Sequence, residues 1–181
     1  MITGAGGSFA QVVIELAGYA ASNEFGIYDA SDPIKKVLVF GGGAVAGSTT
    51  VVSILLDGSV KVNNVDTGFD FAGNLFGFYL NSPEGLFFSN TGLNSDNFDH
   101  MVAFQGKNTD TIQVGNTQPG LWTDNEFILG WEDKKPPNDF DYQDFVVIVE
   151  SVQPVPEPIS MLLFGTGLVG AAGYVQRKFK K

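Results

Sequence analysis

The densest run of chemically capable residues is Trp131-Glu-Asp-Lys-Lys-Pro-Pro-Asn-Asp-Phe-Asp-Tyr-Gln-Asp144. Five carboxylates, Glu132, Asp133, Asp139, Asp141 and Asp144, fall within its last 13 positions. At this density they repel one another unless solvent or a cation screens them. Hard cations such as Ca2+ take six to eight oxygen ligands in a tolerant geometry, and an Asp-rich loop supplies these without a rigid frame. Asp139 and Asp141 point the same way if the segment is extended, and Asp144 can return to the same point after a turn. The pattern predicts one Ca2+ on Asp139, Asp141 and Asp144, with Glu132 or Asp133 completing the shell. The competing reading is a solvated loop whose Asp side chains cap backbone amides. An EF-hand is excluded. With Asp139 as position 1, Asp144 stands at position 6 where glycine is required, and an apolar strand-like run follows in place of a helix.

Other site chemistries fare worse. The chain has one histidine, His100, and no cysteine, which removes thiolate nucleophiles, disulfides and histidine-rich zinc sites. A Ser-His-Asp arrangement would have to use His100, yet its neighbour Asp99 points to the opposite face of a strand. A structural or supporting role fits His100 better. Paired carboxylates could hydrolyse a glycosidic bond, but among 20 acids some pair always looks plausible. Gly41-Gly-Gly43 with Gly47 lacks the Lys-Ser/Thr of a P-loop and reads as a turn. Phe87-Phe88, Trp122 and Trp131 read as core before sugar platform. The expectation is a protein that is not an enzyme.

The elements that must carry the acidic loop are short. Apolar runs recur through the body, bounded by Gly, Asn, Asp, Ser and Pro: Ala10–Leu16, Phe25–Tyr28, Val37–Phe40, Thr50–Leu56, Phe76–Leu80, Leu86–Ser89, Met101–Gln105, Phe127–Trp131 and Phe145–Val149. No stretch of the body sustains a helical period for three turns. Asp57-Gly58 between Val51–Leu56 and Ser59–Val65 is the strongest hairpin signal. Phe145–Val149 is apolar on both faces, which predicts a central strand covered on both sides. With 16 Phe and 23 Gly in 181 residues, the expectation is an all-β antiparallel β-sandwich, jelly-roll-like, over residues 1–152.

Beyond it the composition changes. Residues 153–158, Gln-Pro-Val-Pro-Glu-Pro, form an extended linker. Residues 159–175 carry no charge and would span about 25 Å as a helix. Arg177, Lys178, Lys180 and Lys181 follow, and by the positive-inside rule they anchor that end in the cytoplasm. Before Pro158 there are 20 acidic against 6 basic residues, a net −14, so nucleic-acid and anionic-lipid partners are disfavoured. The opening Met-Ile-Thr-Gly-Ala-Gly-Gly-Ser does not read as a secretory signal, and a start upstream of Met1 is expected.

Two resemblances become specific on these residues. Val155-Pro156-Glu157-Pro158, then Leu162-Leu163, Gly165, Gly167-Leu168 and the basic end, resemble the PEP-CTERM sorting signal. That resemblance implies export in a Gram-negative bacterium, an exosortase acting near Pro156–Pro158, an inner-membrane stage before processing, and release or attachment at the cell surface. Such proteins are typically associated with exopolysaccharide and biofilm matrix. The basic end departs from the usual arginine run. Asp99-His100, Gly130-Trp-Glu-Asp133 and Asp139-Phe-Asp-Tyr-Gln-Asp144 are similar to domain of unknown function 4114 over roughly residues 94–150, with Gln143 in place of the usual Asn. This implies an extracellular β domain suspected of binding calcium. The expected protein is a structural or adhesive surface protein; a carbohydrate-binding module or carbohydrate-active enzyme is the alternative. An exposed aromatic row beside a carboxylate cleft would favour the alternative, and buried Trp122 and Trp131 the first.

Overall fold

The computed structural model describes residues 8–14, 21–113 and 118–152. Among them thirteen strands form, with a single 3-10 turn at Thr91–Leu93. In chain order they are β1 (Ser8–Ile14), β2 (Glu24–Asp29), β3 (Asp32–Phe40), β4 (Thr49–Ile54), β5 (Ser59–Val62), β6 (Val65–Asp70), β7 (Phe76–Ser82), β8 (Gly85–Phe88), β9 (Met101–Gln105), β10 (Thr111–Ile112), β11 (Gly120–Leu121), β12 (Glu126–Trp131) and β13 (Phe145–Glu150). Seven make one sheet in the order β6-β5-β4-β1-β13-β12-β9, four make a second in the order β3-β2-β7-β8, and β10 and β11 form a small ribbon. Each pairing described is antiparallel. The all-β expectation is met.

The two larger sheets close on one core. Phe25, Val37, Val39, Leu80 and Phe87 come from the four-stranded sheet; Val52, Val60, Phe127, Leu129, Trp131, Phe145, Val147 and Val149 come from the seven-stranded one. Phe25 is the hinge of the packing, with its ring 6.1 Å from Trp131 edge-on and 5.5 Å from Phe145 stacked. Rings offset in this way add to the stabilisation from burial alone. β13 lies between β1 and β12. Val147 and Val149 are buried in the inter-sheet core and Ile148, on the opposite face, is buried too, as a doubly covered strand requires.

The Asp57-Gly58 hairpin forms, with Val52 opposite Val62 and Ile54 opposite Val60. Gly58 sits at φ +93, and an added Cβ would stand 2.3 Å from the Phe71 carbonyl oxygen, so only glycine fits. The expected second strand, Ser59–Val65, is corrected. It ends at Val62, because Asn63 and Asn64 take left-handed φ values of 51 and 64 and turn the chain back so that Val62 faces Val65. Expectations for the linker 153–158, the helix over 159–175 and the basic end concern positions outside the described residues. No helix among the described residues is long and apolar enough to cross a membrane.

Candidate functional site

The acidic loop is the connection between β12 and β13. Their ladder runs to the Trp131–Phe145 pair, so Glu132 and Asp144 are the next residues on each side and face each other across the loop's mouth. On the other flank β12 pairs with β9 as far as Trp131–Met101, which puts His100 beside Glu132. Three strand ends thereby deliver His100, Glu132 and Asp144 to one place. Gly130 lets the loop fold down there: a Cβ at this position would stand 2.6 Å from the Tyr142 carbonyl oxygen.

Glu132 and Asp133 have no exposed surface, and Asp144 is nearly as deeply buried. Glu132 Oε1 accepts hydrogen bonds from the amides of Asp141, at 2.9 Å, and Tyr142, at 3.0 Å. Phe140 and Tyr142 hold left-handed φ values of 57 and 52, unusual for aromatic residues, as the loop curls over that carboxylate. Glu132 Oε2 is buried with no hydrogen-bond partner. One carboxylate oxygen each from Glu132, Asp139 and Asp144 lies within 4.8 Å of the other two. Burial is the main cause that raises the Glu132 carboxyl pKa. The charges of Asp144 and Asp139 add to it, against the two amides that favour the charged form. Asp144 is likewise raised, first by burial and then by the charge of Asp133, against the Asp133 amide and Lys134.

Of the five carboxylates singled out in the sequence, the fold brings Glu132, Asp139 and Asp144 together. Asp141 contributes its amide to Glu132 while its own side chain accepts from the Gln143 amide and side chain. Asp133 turns the other way. Its Oδ2 accepts from Asn23 Nδ2 at 3.0 Å, its carbonyl accepts from Ser82 Oγ at 2.6 Å, and its amide donates to Asp144 Oδ2 at 3.1 Å. Glu132 is the centre of the cluster, where the sequence suggested a completing ligand.

Of the supporting residues, His100 takes the structural place the sequence suggested, while Asp96, Asn94 and Asn23 carried no sequence signal of their own. His100 is fully buried, stacked on Phe87 at 3.6 Å between centroids. Its Nδ1 lies 3.1 Å from the Glu132 carbonyl oxygen, and its own carbonyl accepts from the Glu132 amide at 3.0 Å. Its Nε2 meets Asp96 Oδ2 at 3.0 Å, so the carboxylate partner is Asp96 and not Asp99. Asn94 fixes the preceding loop by accepting from the Phe88 amide and donating to the Phe88 and Phe98 carbonyls. Asn23 reaches the site from 110 positions away. Trp131 and Phe87 lie in the core, Trp122 is partly buried, and Phe140, 55 % exposed, projects from the acidic loop.

Residues 154–178 match the PEP-CTERM protein-sorting motif. The chain thus bears an exosortase sorting signal, which implies export and membrane anchoring before processing. No curated protein matches the chain. Among solved structures, a Chromobacterium violaceum lectin in complex with alpha-methyl-fucoside is similar at 16 % identity, over 86 % of this chain and 95 % of the lectin, with a TM-score of 0.36. That likeness is too distant to inform the site. Residues 46–152 match the domain of unknown function DUF4114, a span that takes in β4 to β13 and the whole acidic loop, and the chain belongs to that family.

Proposed function

We propose that this is a non-catalytic surface or matrix protein of a Gram-negative bacterium, structural or adhesive, whose β-sandwich is stabilised by one Ca2+ in the β12–β13 loop. Glu132, Asp139 and Asp144 are the ligands, with the Asp141 and Tyr142 amides holding Glu132 in place. The observation that carries the reading is the unpartnered Oε2 of a fully buried glutamate inside a carboxylate triplet. A buried charge needs a counter-charge or costs several kcal/mol, and buried polar atoms are nearly always satisfied. A hard cation meets both demands and takes oxygen ligands in this number with solvent completing the shell. Before processing, the uncharged segment 159–175 holds the chain in the inner membrane with Lys181 cytoplasmic. Exosortase then acts at Val155, Pro156, Glu157 and Pro158.

Thermal melts in Ca2+ and in chelator test the site. A Ca2+-dependent gain that Asp139→Ala removes supports it; a melt that Ca2+ leaves unmoved defeats it. A second reading, carbohydrate recognition on exopolysaccharide, rests on Phe140, an exposed ring beside Asp139 and Asp141. A glycan-binding screen in Ca2+ with wild type and Phe140→Ala decides it. Binding lost in the variant favours this reading, and a blank screen leaves the structural role.

A further inference from the structure

A second set of buried oxygens adjoins Asp144 through Asp133. Asn23, just ahead of β2, and Asp133, just past β12, are 1 % and 0 % exposed. Asn23 Nδ2 is committed to Asp133 Oδ2, and that leaves Asn23 Oδ1 and Asp133 Oδ1 buried without any partner. Asp133 is also tied to Asp144 through its amide, 3.1 Å from Asp144 Oδ2, so the two carboxylates are close neighbours. Neither Asn23 Oδ1 nor Asp133 Oδ1 can be met by the hydrogen bond already formed. The shortfall is one of donors or of positive charge.

We propose that Asn23 Oδ1, Asp133 and Asp144 bind a second hard divalent cation of the Ca2+ class, with Asp144 shared between it and the cation on Glu132 and Asp139. This inference rests on the proposed cation in the acidic loop only through Asp144; Asn23 and Asp133 are not members of the triplet, and Asp133 meets it through the amide it donates to Asp144 Oδ2. A water molecule could donate to both orphaned oxygens, but it would leave two adjacent carboxylates uncompensated in a water-poor place. A cation accepts lone pairs from the amide oxygen and both carboxylates at once, and mixed amide and carboxylate oxygens are ordinary ligands for it. Because Asn23 leads into β2 of the four-stranded sheet and Asp133 and Asp144 flank β12 and β13 of the seven-stranded one, this cation would fasten the two sheets where those strand ends meet. The first cation only closes a loop within one sheet.

Equilibrium dialysis of the full-length protein against Ca2+ counts the ions. Two equivalents are expected for wild type and one for each of Asn23→Ala, Asp133→Asn and Asp139→Ala, with circular dichroism confirming that each variant folds. One equivalent that Asp139→Ala abolishes and Asn23→Ala leaves overturns this second site while the triplet stands. One equivalent with the reverse dependence keeps the second site and removes the triplet. None overturns both. Should Asn23→Ala fail to fold, Asn23→Asp provides an independent reading. It places a third carboxylate beside Asp133, so it should melt below wild type in chelator and gain more from Ca2+. An equal or smaller Ca2+ gain overturns the proposal.

Discussion

Replacing Glu132 by Gln separates the two energetic roles that the site assigns to this side chain. Gln keeps an oxygen for the Asp141 and Tyr142 amides and nearly the same volume, but removes the charge and the unpartnered carboxylate oxygen. In chelator the variant should melt at or above wild type, because a buried carboxylate between Asp139 and Asp144 is a cost without its cation. In Ca2+ the order should reverse. A cation bound only by the folded state contributes about 2.7 kcal/mol at one hundred times Kd. For a chain of this size, at about 2–4 °C per kcal/mol, that is a rise of roughly 5–11 °C for the triplet's cation, and Glu132→Gln should forfeit most of that share. Asp57→Ala, which lies in the distant β4–β5 turn and bonds only Ser59, should keep the full rise. Differential scanning calorimetry in both conditions reads all of this. The reasoning is refuted if Glu132→Gln retains the Ca2+ rise, or if in chelator it is several degrees less stable than wild type.

Protonation gives a companion result. A carboxyl whose pKa is raised on folding adds no cost below its unfolded value and costs stability as the pH climbs through the folded value. In chelator, wild type and Glu132→Gln should therefore converge below about pH 4.5, the ordinary glutamate value, and wild type should fall behind above it, as urea midpoints across pH will show. Asp29 behaves in the opposite sense. It is buried, yet it accepts from the Ala72 amide at 2.6 Å and from the Ser31 amide and hydroxyl at 2.8 and 2.7 Å; burial acts to raise its pKa, but these bonds and Lys35 outweigh it. Its contribution is present above pH 3.8 and lost as pH falls through the lower folded value. Asp29→Ala should cost about 3 kcal/mol at neutral pH by urea unfolding. Gly130→Ala should displace the Tyr142 carbonyl and weaken Ca2+ binding at least tenfold by titration calorimetry while the core still forms.

What the sequence made legible follows from local rules. β13 could be read as a central strand because Phe145–Val149 leaves no polar face, and the β4–β5 turn because Asp-Gly has few other uses between apolar runs. The split at Asn63-Asn64 was missed because Asn tolerates left-handed backbone without announcing it. The acidic loop was conspicuous from its charge density alone. Its internal geometry was not, since sequence spacing cannot show that Glu132 continues a ladder while Asp141 turns out to Gln143. Long-range partners were beyond reach for the same reason: the Asn23–Asp133 bond and the His100–Glu132 contacts arise only when the packed sheets bring the ends of β2, β9 and β12 together. The sequence argues against His100 as a nucleophile's partner because its neighbour Asp99 points to the opposite face of a strand. The fold gives it Asp96 and no exposed surface, where it props the glutamate.

Trp131 offers the most direct measurement of the central claim. Its indole is fully buried one residue before Glu132, close enough to sensitise a lanthanide held by that carboxylate. With Tb3+ as a probe for Ca2+, in a background carrying Asp133→Asn to remove the second site, excitation of tryptophan should produce terbium emission that millimolar Ca2+ displaces and that Glu132→Gln abolishes. Absence of sensitised emission, or emission that persists in Glu132→Gln, would contradict a cation at Glu132, Asp139 and Asp144.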